Sequence, residues 1–336
     1  MKGQRKYFVL ILTIVITTLL IGSFSGIVFA KEIKIGWSQR SLGCPYYVEL
    51  NQYAVAEAEK CGAELYFLDA TEDIAKQISD VEDLIAKKCD VIVIDPVDSV
   101  GSIPAVRAAN KAGVPVVIVA DPLDLSKDPD VKVETTVIGG LYFEGAYLAG
   151  QYAAELIGNE KVNMAFINGP LGSQPGRDRI TGFIAGMAMY QTEHFNTTYV
   201  NVIAHGFGNW GTPSGLLAME DILSAYPKVD VVVAGNDAMA LGALQAIKEA
   251  GRLNELKFLA ACSDAQKEAL KIILKGDYQG KYICSGMNWP RKFIPIAVDL
   301  AIKIVEGEKV PSFVNHETIL VTKENVKEYY DPNATF

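Results

Sequence analysis

Polar side chains stand directly after several predicted strands of this chain, where a parallel sheet presents groups to a ligand. The set comprises Ser38, Asp95, Asp121, Asn168, Asn236, Asp237, Asp264 and Asn288. For Asp95 and Asp237 a second interpretation is equally good, because a helix follows each one and a carboxylate can cap its first turn. Carboxylates accept hydrogen bonds and amides both donate and accept them, as the hydroxyl groups of a polyhydroxylated ligand require.

Three aromatic side chains lie in predicted loops rather than in the apolar stripe of a helix. Tyr46 and Tyr47 follow the first predicted strand, and Trp210 lies in the second half of the chain. The C–H faces of a sugar ring are apolar and pack on flat aromatic rings. Together with the strand-end carboxylates and amides, these rings favour a sugar-like ligand.

Short apolar or β-branched runs alternate with segments in which apolar residues recur every three or four positions. The predicted strands are 33–37, 65–68, 91–94, 116–119, 133–138, 163–167, 200–204, 231–234, 258–261 and 282–284. The predicted helices are 48–60, 74–87, 103–111, 145–157, 179–189, 215–225 and 238–250. Nearly continuous apolar strands are typical of parallel sheets with helices on both faces. The alternation predicts an α/β protein with doubly wound lobes.

The two halves of the chain resemble each other at corresponding strands. Residues 89–95 resemble 229–235, and residues 116–121 resemble 258–264, at offsets of 140 and 143 positions. A nearly constant offset predicts two lobes of the same build. No Gly/Ser linker separates them, so ordinary backbone crossings must join the lobes.

The first thirty residues have the pattern of a secretory signal peptide. A basic start with Lys2, Arg5 and Lys6 precedes the uncharged stretch 7–21, and small residues three and one positions before a cut end the segment at Ala30. An uncleaved membrane anchor is the alternative, because 7–30 is long enough to span a bilayer. Cleavage near Ala30 predicts a periplasmic or other extracytoplasmic protein.

Charge and cysteine content exclude several classes of function. The chain carries 31 basic and 40 acidic residues, which argues against a nucleic-acid partner because phosphate binding needs a basic face. The five cysteines have no metal-ligand spacing. Cys262 and Cys284 are the best candidates for a disulfide, and two buried thiols are the alternative. We predict no metal site and no cofactor.

Enzymatic activity finds little support in the motifs. The three histidines occur in no HExxH, GxSxG or HxE pattern. The glycine-rich segment 169–176 follows a strand and precedes a helix, so it could hold a phosphate, but it lacks the GxGxxG and GxxxxGK spacings. A sugar-modifying enzyme is therefore the less favoured alternative, and we predict a protein without catalytic residues.

Three segments carry a resemblance to a known family. They are Pro45-Tyr46-Tyr47, the sequence GRDRITGF at 176–183 and the sequence AGNDAMALG at 234–242. Over residues 31–325 the chain resembles the type I periplasmic sugar-binding proteins, most closely the ribose-binding and glucose/galactose-binding members. The ligand-binding residues implied by this resemblance are Tyr46, Tyr47, Asp121, Arg179, Trp210, Asn236, Asp264 and Asn288.

Departures from the family pattern concentrate in the first lobe. Cys44 stands where an asparagine contact is usual, and Pro122 replaces an arginine that follows the aspartate in ribose binders. The loop 39–45 is longer than in those proteins, and its Arg40 is a candidate to compensate for the reduced polar contacts of the first lobe. The departures leave a sugar-like ligand as the expectation but speak against ribose itself.

The resemblance also implies the architecture and the partners. It implies the periplasmic binding protein type I fold, in which a hinge of three crossings near 139–141, 287–290 and 315–318 joins the two lobes. The predicted lobes are 31–140 with 289–316, and 141–288 with 317–336. A monomer would close around a sugar or polyol and deliver it to the membrane permease of an ABC transporter.

Two other roles fit the same two-lobed build. The closed form could signal to a chemoreceptor or sensor kinase, which the sequence does not distinguish from delivery to a permease. The sugar-responsive core of a transcription repressor is disfavoured, because an N-terminal helix-turn-helix would have to replace the signal peptide.

Overall fold

The computed structural model describes residues 32–336. The predicted signal peptide at 1–30 and its cleavage near Ala30 lie outside the described residues. Among the helices of residues 32–336, none is long and apolar enough to cross a lipid bilayer.

Residues 32–336 form two six-stranded sheets. In chain order the strands are β1 Lys34–Gln39, β2 Glu64–Asp69, β3 Val91–Ile94, β4 Val116–Val119, β5 Thr135–Ile138, β6 Asn163–Asn168, β7 Asn201–Phe207, β8 Val231–Ala234, β9 Phe258–Ala261, β10 Tyr282–Gly286, β11 Phe313–Asn315 and β12 Leu320–Thr322. The first sheet has the order β11-β5-β4-β3-β1-β2, and the second has the order β12-β10-β9-β8-β6-β7. All neighbouring strands are parallel except β12, which runs antiparallel to β10.

Helices connect the strands in both sheets. In chain order they are α1 Pro45–Lys60, α2 Ile74–Ala86, α3 Ile103–Lys111, α4 Tyr142–Ile157, α5 Gln174–Phe195, α6 Thr212–Ala225, α7 Asp237–Glu249, α8 Lys267–Lys275, α9 Pro290–Val305 and α10 Val326–Tyr329. Short 3₁₀ turns lie at Leu125–Lys127 and Tyr278–Gly280.

Neighbouring residues of one strand belong to hydrophobic cores on opposite faces of the sheet. In β3, Val91 and Val93 pack in the same cluster as Leu50 of α1, whereas Ile92 and Ile94 pack in another cluster with α2 and α3. The strands of the second sheet divide in the same way between two clusters. Helices therefore cover both faces of each sheet, and the prediction of a doubly wound α/β fold is confirmed.

The chain passes between the two sheets three times. Three pairs of consecutive strands are divided between the sheets, namely β5 and β6, β10 and β11, and β11 and β12. The chain therefore changes sheets after β5, after β10 and after β11. This agrees with the predicted three-crossing hinge. The lobe boundaries at 140/141, 288/289 and 316/317 stay predictions.

The sequence pattern missed two strands, the first turns of four helices, and the three helices α8, α9 and α10, which are not among the predicted helices. Strands β11 and β12 have three residues each, too few for a recognisable pattern. Helices α1, α4, α5 and α6 begin three to five residues before their predicted starts. As a result, Tyr46 and Tyr47 lie in the first turn of α1, and their placement in a loop was wrong.

All five cysteines are free thiols. Cys262 and Cys284 are both buried within one apolar cluster of the second sheet. The candidate disulfide between them is not formed, and the alternative of two buried apolar thiols describes the fold.

Candidate ligand-binding site

One cavity between the two sheets brings together every side chain that the sequence assigned to ligand binding. The lining consists of Cys44, Tyr46, Tyr47, Asp121, Tyr142, Pro175, Arg179, Trp210, Asn236, Asp264 and Asn288. We define the first wall as Cys44, Tyr46, Tyr47 and Asp121, and the second wall as Pro175, Arg179, Trp210, Asn236 and Asp264. Tyr142 and Asn288 lie next to the chain passages between the walls.

Helix α1 presents the two tyrosines of the first wall. Pro45 occupies the first helical position, where the missing N–H is no loss and the fixed φ suits the helix. The ring centroids of Tyr46 and Tyr47 are 5.4 Å apart with an edge-to-face arrangement, and the Tyr46 ring also packs edge-on against Phe336. Packing from several sides fixes both rings, so they form a rigid apolar surface.

Cys44 is the residue immediately before α1 and adds a weakly polar contact to the first wall. Burial raises the pKa of its thiol to about 12. The group is therefore a neutral thiol at ordinary pH, and a thiol is only a weak hydrogen-bond donor. The first wall thus has little polar character at this point.

Asp121 is the one carboxylate of the first wall, and protein groups already occupy both of its oxygens. Its Oδ1 accepts a hydrogen bond of 2.8 Å from the Tyr142 hydroxyl, and its Oδ2 accepts one of 2.8 Å from Nη1 of Arg40. The Tyr142 hydroxyl also lies 2.6 Å from the Ala120 carbonyl oxygen. Each carboxylate oxygen retains one further lone pair for a ligand.

Arg179 dominates the second wall. Ser173 caps the N-terminus of α5 by accepting a hydrogen bond from the Gly176 amide, which fixes the turn that leads to Arg179. The guanidinium carbon lies 4.7 Å from the centroid of the Tyr142 ring and 4.8 Å from that of Trp210.

The hydrogen-bonding groups of Arg179 are only partly used. Nη2 donates to the Ser263 hydroxyl at 3.0 Å, while the buried Nε has no hydrogen-bond partner within residues 32–336. A buried donor without a partner is costly, so Nε is well suited to a ligand oxygen.

Trp210 approaches the cavity through a tight turn. Its φ of 60° is in the left-handed region, and a Cβ on Gly169 would lie 2.1 Å from the indole ring, so only glycine fits beneath it. Asn236 holds this turn, because its Nδ2 donates to the Trp210 carbonyl oxygen at 3.0 Å. Its Oδ1 accepts from the Met239 amide and caps α7. Asn236 is therefore a positioning residue as well as a lining residue.

Asp95 and Asp237, for which the sequence left helix capping open as a second interpretation, do not cap helices. Asp95 lies after β3, but α3 begins only at Ile103, and the Asp95 carboxylate instead accepts a hydrogen bond from Gln39. Asp237 is the first residue of α7, and its carboxylate accepts from the Tyr282 hydroxyl and the Gln266 amide. Neither residue lines the cavity. The capping interpretation was wrong for both, because their carboxylates point to neighbouring strands and loops.

Burial determines the charge of the acids around the cavity. It raises the pKa of Asp264, while the adjacent Arg179 opposes the shift. It also raises the pKa of Asp237 to about 8 and that of Asp95 well above its ordinary value, and nearby carboxylates add to both shifts. Asp237 is therefore mostly protonated at neutral pH, and Asp95 holds a proton more readily than an exposed aspartate does.

Asn288 connects the second passage of the chain with the first wall. Its Oδ1 accepts a hydrogen bond of 3.4 Å from the Tyr46 hydroxyl, and its backbone amide donates to the Asp264 carbonyl oxygen at 3.4 Å. A Cβ on Gly139, at the first passage, would lie 2.2 Å from Oδ1 of Asn288. Close packing of the two passages thus places this amide at the cavity.

Tyr142 and Pro175 are lining residues that sequence reasoning did not assign. Tyr142 contributes most, since it touches Asp121 with its hydroxyl and Arg179 with its ring. An aromatic residue directly after the predicted crossing at 139–141 was the available signal. Within residues 32–336, no group of three metal-ligating side chains is assembled.

Comparison with known protein families matches residues 35–309 of the chain to the family described as periplasmic binding protein domain. This is most of its length. The chain belongs to the periplasmic binding protein domain family. The resemblance inferred from the sequence is therefore confirmed, and the two-sheet fold is that of its type I members.

Individual family members share most of their length with this chain. The ribose import binding protein of Bacillus subtilis is 32% identical over 88% of this chain and 88% of its own. The structure of an ABC transporter solute-binding protein from Mycobacterium smegmatis with bound glycerol has a TM-score of 0.80 and 33% identity, covering 91% of this chain and 99% of that one. An ABC transporter periplasmic solute-binding protein from Actinobacillus succinogenes with bound D-allose has a TM-score of 0.77 and 28% identity, covering 89% and 100%.

Proposed function

We propose that this protein binds a small sugar or polyol in the cavity between its two walls and delivers it to the permease of an ABC importer. The observation that carries the proposal is the buried Nε of Arg179, which has no hydrogen-bond partner among residues 32–336, on a guanidinium held between two aromatic rings in a cavity that Asp264 also lines. This arrangement offers a directed donor, an acceptor and apolar faces, which suit a ring with hydroxyl groups. The relatives with bound glycerol and D-allose support the ligand class.

The ligand-binding residues in this proposal are the eight that the sequence singled out. Arg179, Asn236, Asp264 and Asn288 bind the hydroxyl groups, and Asp121 binds them from the first wall. Tyr46, Tyr47 and Trp210 pack on the C–H faces of the ring. The lobes 31–140 with 289–316 and 141–288 with 317–336 close over the ligand, because only a ligand that touches both walls favours the closed state.

Export is part of the proposal. Residues 1–30 act as a signal peptide that is removed near Ala30, and the mature monomer works outside the cytoplasm. The periplasmic family and the relative named as an import protein support this location and favour delivery over sensing. N-terminal sequencing of the exported protein tests the cleavage, with Lys31 as the expected first residue.

Binding is tested by thermal-shift screening with pentoses, hexoses and polyols, followed by calorimetry of the hits. A ligand that binds only the folded protein raises the melting temperature. Arg179→Ala is expected to reduce the shift strongly at the same ligand concentration, whereas replacement of Arg177, an exposed arginine of the same helix, by alanine is expected to retain it. Absence of binding across the panel, or equal binding by both variants, would contradict the proposal.

We also propose that the protein binds its ligand without converting it. The family and the relatives are binding proteins, which supports this view. Incubation of the purified protein with each hit, followed by chromatography, is expected to return the ligand unchanged. A new product that is absent with the Arg179→Ala variant would identify an enzyme.

A further inference from the structure

Arg40 lies beside the cavity in the loop between β1 and α1 and is only 5% exposed. Its Nε donates to both carboxylate oxygens of Glu72 at 3.1 and 2.9 Å, and its Nη1 donates to Oδ2 of Asp121 at 2.8 Å. One guanidinium therefore bridges a carboxylate of the first wall and a second carboxylate outside it. Hydrogen bonds between ionised groups are short and strong, and the planar guanidinium fixes their direction.

The turn that carries Glu72 is shaped to meet Arg40. The amide of Ala70 donates to the Gln39 carbonyl oxygen at 2.8 Å, and the amide of Glu72 donates to the Arg40 carbonyl oxygen at 3.0 Å. Thr71 and Glu72 have φ values of 53° and 61°. The left-handed region is unfavourable for a non-glycine residue, because its Cβ crowds the following carbonyl oxygen. Two such residues in succession indicate that the surrounding structure constrains this turn.

Arg40 is also the cation that balances a cluster of acids. Burial raises the pKa of Glu72, and Arg40 opposes that shift. Arg40 likewise opposes the rise in the pKa of the buried Asp95. Pro122, the residue after Asp121, has neither a charge nor an N–H group. The guanidinium next to Asp121 therefore comes from a loop that lies 81 positions earlier in the chain.

We propose that Arg40, anchored by Glu72, is a positioning residue that determines which hydroxyl arrangement Asp121 accepts from the ligand. With Arg40 on Oδ2 and Tyr142 on Oδ1, one lone pair of each oxygen is left, and its direction is fixed. The carboxylate then accepts ligand hydroxyls only in one orientation. This inference rests on the proposed function, because it concerns the selectivity of the same cavity.

The test compares the best ligand of the panel with its single-deoxy analogues, by calorimetry. For the wild type, the analogue that lacks the hydroxyl bound by Asp121 is expected to bind about 10-fold more weakly, or worse. In Arg40→Ala the affinity for the parent ligand is expected to fall about 10-fold, and the difference between parent and analogue is expected to disappear. Arg40→Lys is expected to recover part of the affinity and part of the discrimination, because it restores the charge but not the planar group whose Nε and Nη1 bridge Glu72 and Asp121.

Glu72→Gln and Arg107→Ala complete the design. Glu72→Gln retains Arg40 but removes its anchoring charge, so a smaller loss of affinity and of discrimination is expected. Arg107→Ala removes an exposed arginine that pairs with Asp128 away from the cavity, and wild-type behaviour is expected. Glu72→Gln decides the question if Arg40→Ala does not fold, since it leaves every buried cation in place.

The outcomes separate the two proposals. If the wild type binds no member of the panel, the proposed function fails, and the role of Arg40 fails with it. If the wild type binds a ligand but the folded Arg40 and Glu72 variants discriminate among the deoxy analogues as the wild type does, only the role of Arg40 is overturned. The role of Arg40 is also overturned if these variants bind the parent ligand and every analogue more weakly by the same factor, so that discrimination is unchanged.

Discussion

The two walls of the cavity differ in how much hydrogen-bonding capacity they leave for a ligand. On the first wall, Asp121 is engaged by Arg40 and Tyr142, and the remaining side chains are two tyrosines, of which Tyr46 already donates its hydroxyl to Asn288, and a neutral thiol. On the second wall, Arg179 has a buried Nε without a partner in residues 32–336. The first wall is therefore mainly an apolar cover, and the second is mainly a polar binding surface.

This difference suggests an order of events for binding. A ligand that meets the second wall first gains directed hydrogen bonds there, and the first wall adds aromatic packing when the lobes close. The first wall then affects the dissociation rate and the selectivity for the ligand more than the association rate. The following predictions test this division of roles, from the largest expected effect to the smallest.

Arg179→Ala should produce the largest loss. The variant removes a buried guanidinium of the cavity lining, so binding should weaken by about 2–3 kcal/mol, the range for hydrogen bonds to charged groups. Calorimetry measures the change, and Arg177→Ala is the matched control on the same helix. A loss smaller than that of any first-wall variant would reverse the comparison between the walls.

Asp264→Asn should weaken binding by about 1–2 kcal/mol, because a neutral acceptor replaces a charged one. Asparagine tolerates the left-handed region, so the φ of 105° at this position should persist and the fold should remain intact. Calorimetry and the melting temperature of the ligand-free protein measure the two properties. Asp221→Asn, at an exposed position of α6, is the control and should leave affinity unchanged.

Tyr47→Leu should cost about 1 kcal/mol of binding free energy, since it replaces a flat ring with an apolar side chain of similar burial. The main effect should be faster dissociation, measurable by stopped-flow fluorescence. Tyr199→Leu, a tyrosine that is absent from the cavity lining, serves as the control. A loss that equals the Arg179→Ala loss would mean that the first wall binds as strongly as the second.

Cys44 should react slowly with alkylating reagents, an effect on labelling rather than on binding. Burial raises the pKa of its thiol to about 12, and only the thiolate is nucleophilic. At pH 8 the exposed Cys61 should be labelled first, and the labelling of Cys44 should accelerate only as the pH approaches 12. Peptide mapping by mass spectrometry distinguishes the two sites, and rapid labelling of Cys44 at pH 8 would contradict a neutral, buried thiol.

The sequence predicted the centres of the sheets more accurately than the helix starts. Strands β3, β4, β8 and β9 have the bounds that the apolar runs predicted, because buried parallel strands are apolar on both faces. In α1, α4 and α5 the missed first turn carries residues that line the cavity, whereas the missed first turn of α6 carries none. Tyr46, Tyr47 and Tyr142 lie in such turns, and side chains that serve a ligand break the apolar period from which a helix is recognised.

The candidate site was predictable in its members but not in its hydrogen bonds. All eight assigned residues line one cavity, since strand-end positions and family motifs are local features of the sequence. The capping interpretation of Asp95 and Asp237 failed, because their partners, Gln39 and Tyr282, come from other parts of the chain. Tyr142 was missed as a lining residue although it directly follows the predicted crossing at 139–141.

By itself, the sequence determined ten of the twelve strands of residues 32–336, seven of the ten helices, the repeated build and the strand-end residues, because each depends on neighbours along the chain. The tertiary structure alone decided which of the polar groups are already in use. Arg40 reaches Asp121 across 81 positions, and Arg179 reaches Ser263 across 84. Hydrogen-bonding capacity depends on neighbours in space, so only the folded chain distinguishes the occupied carboxylate of the first wall from the free donor of the second.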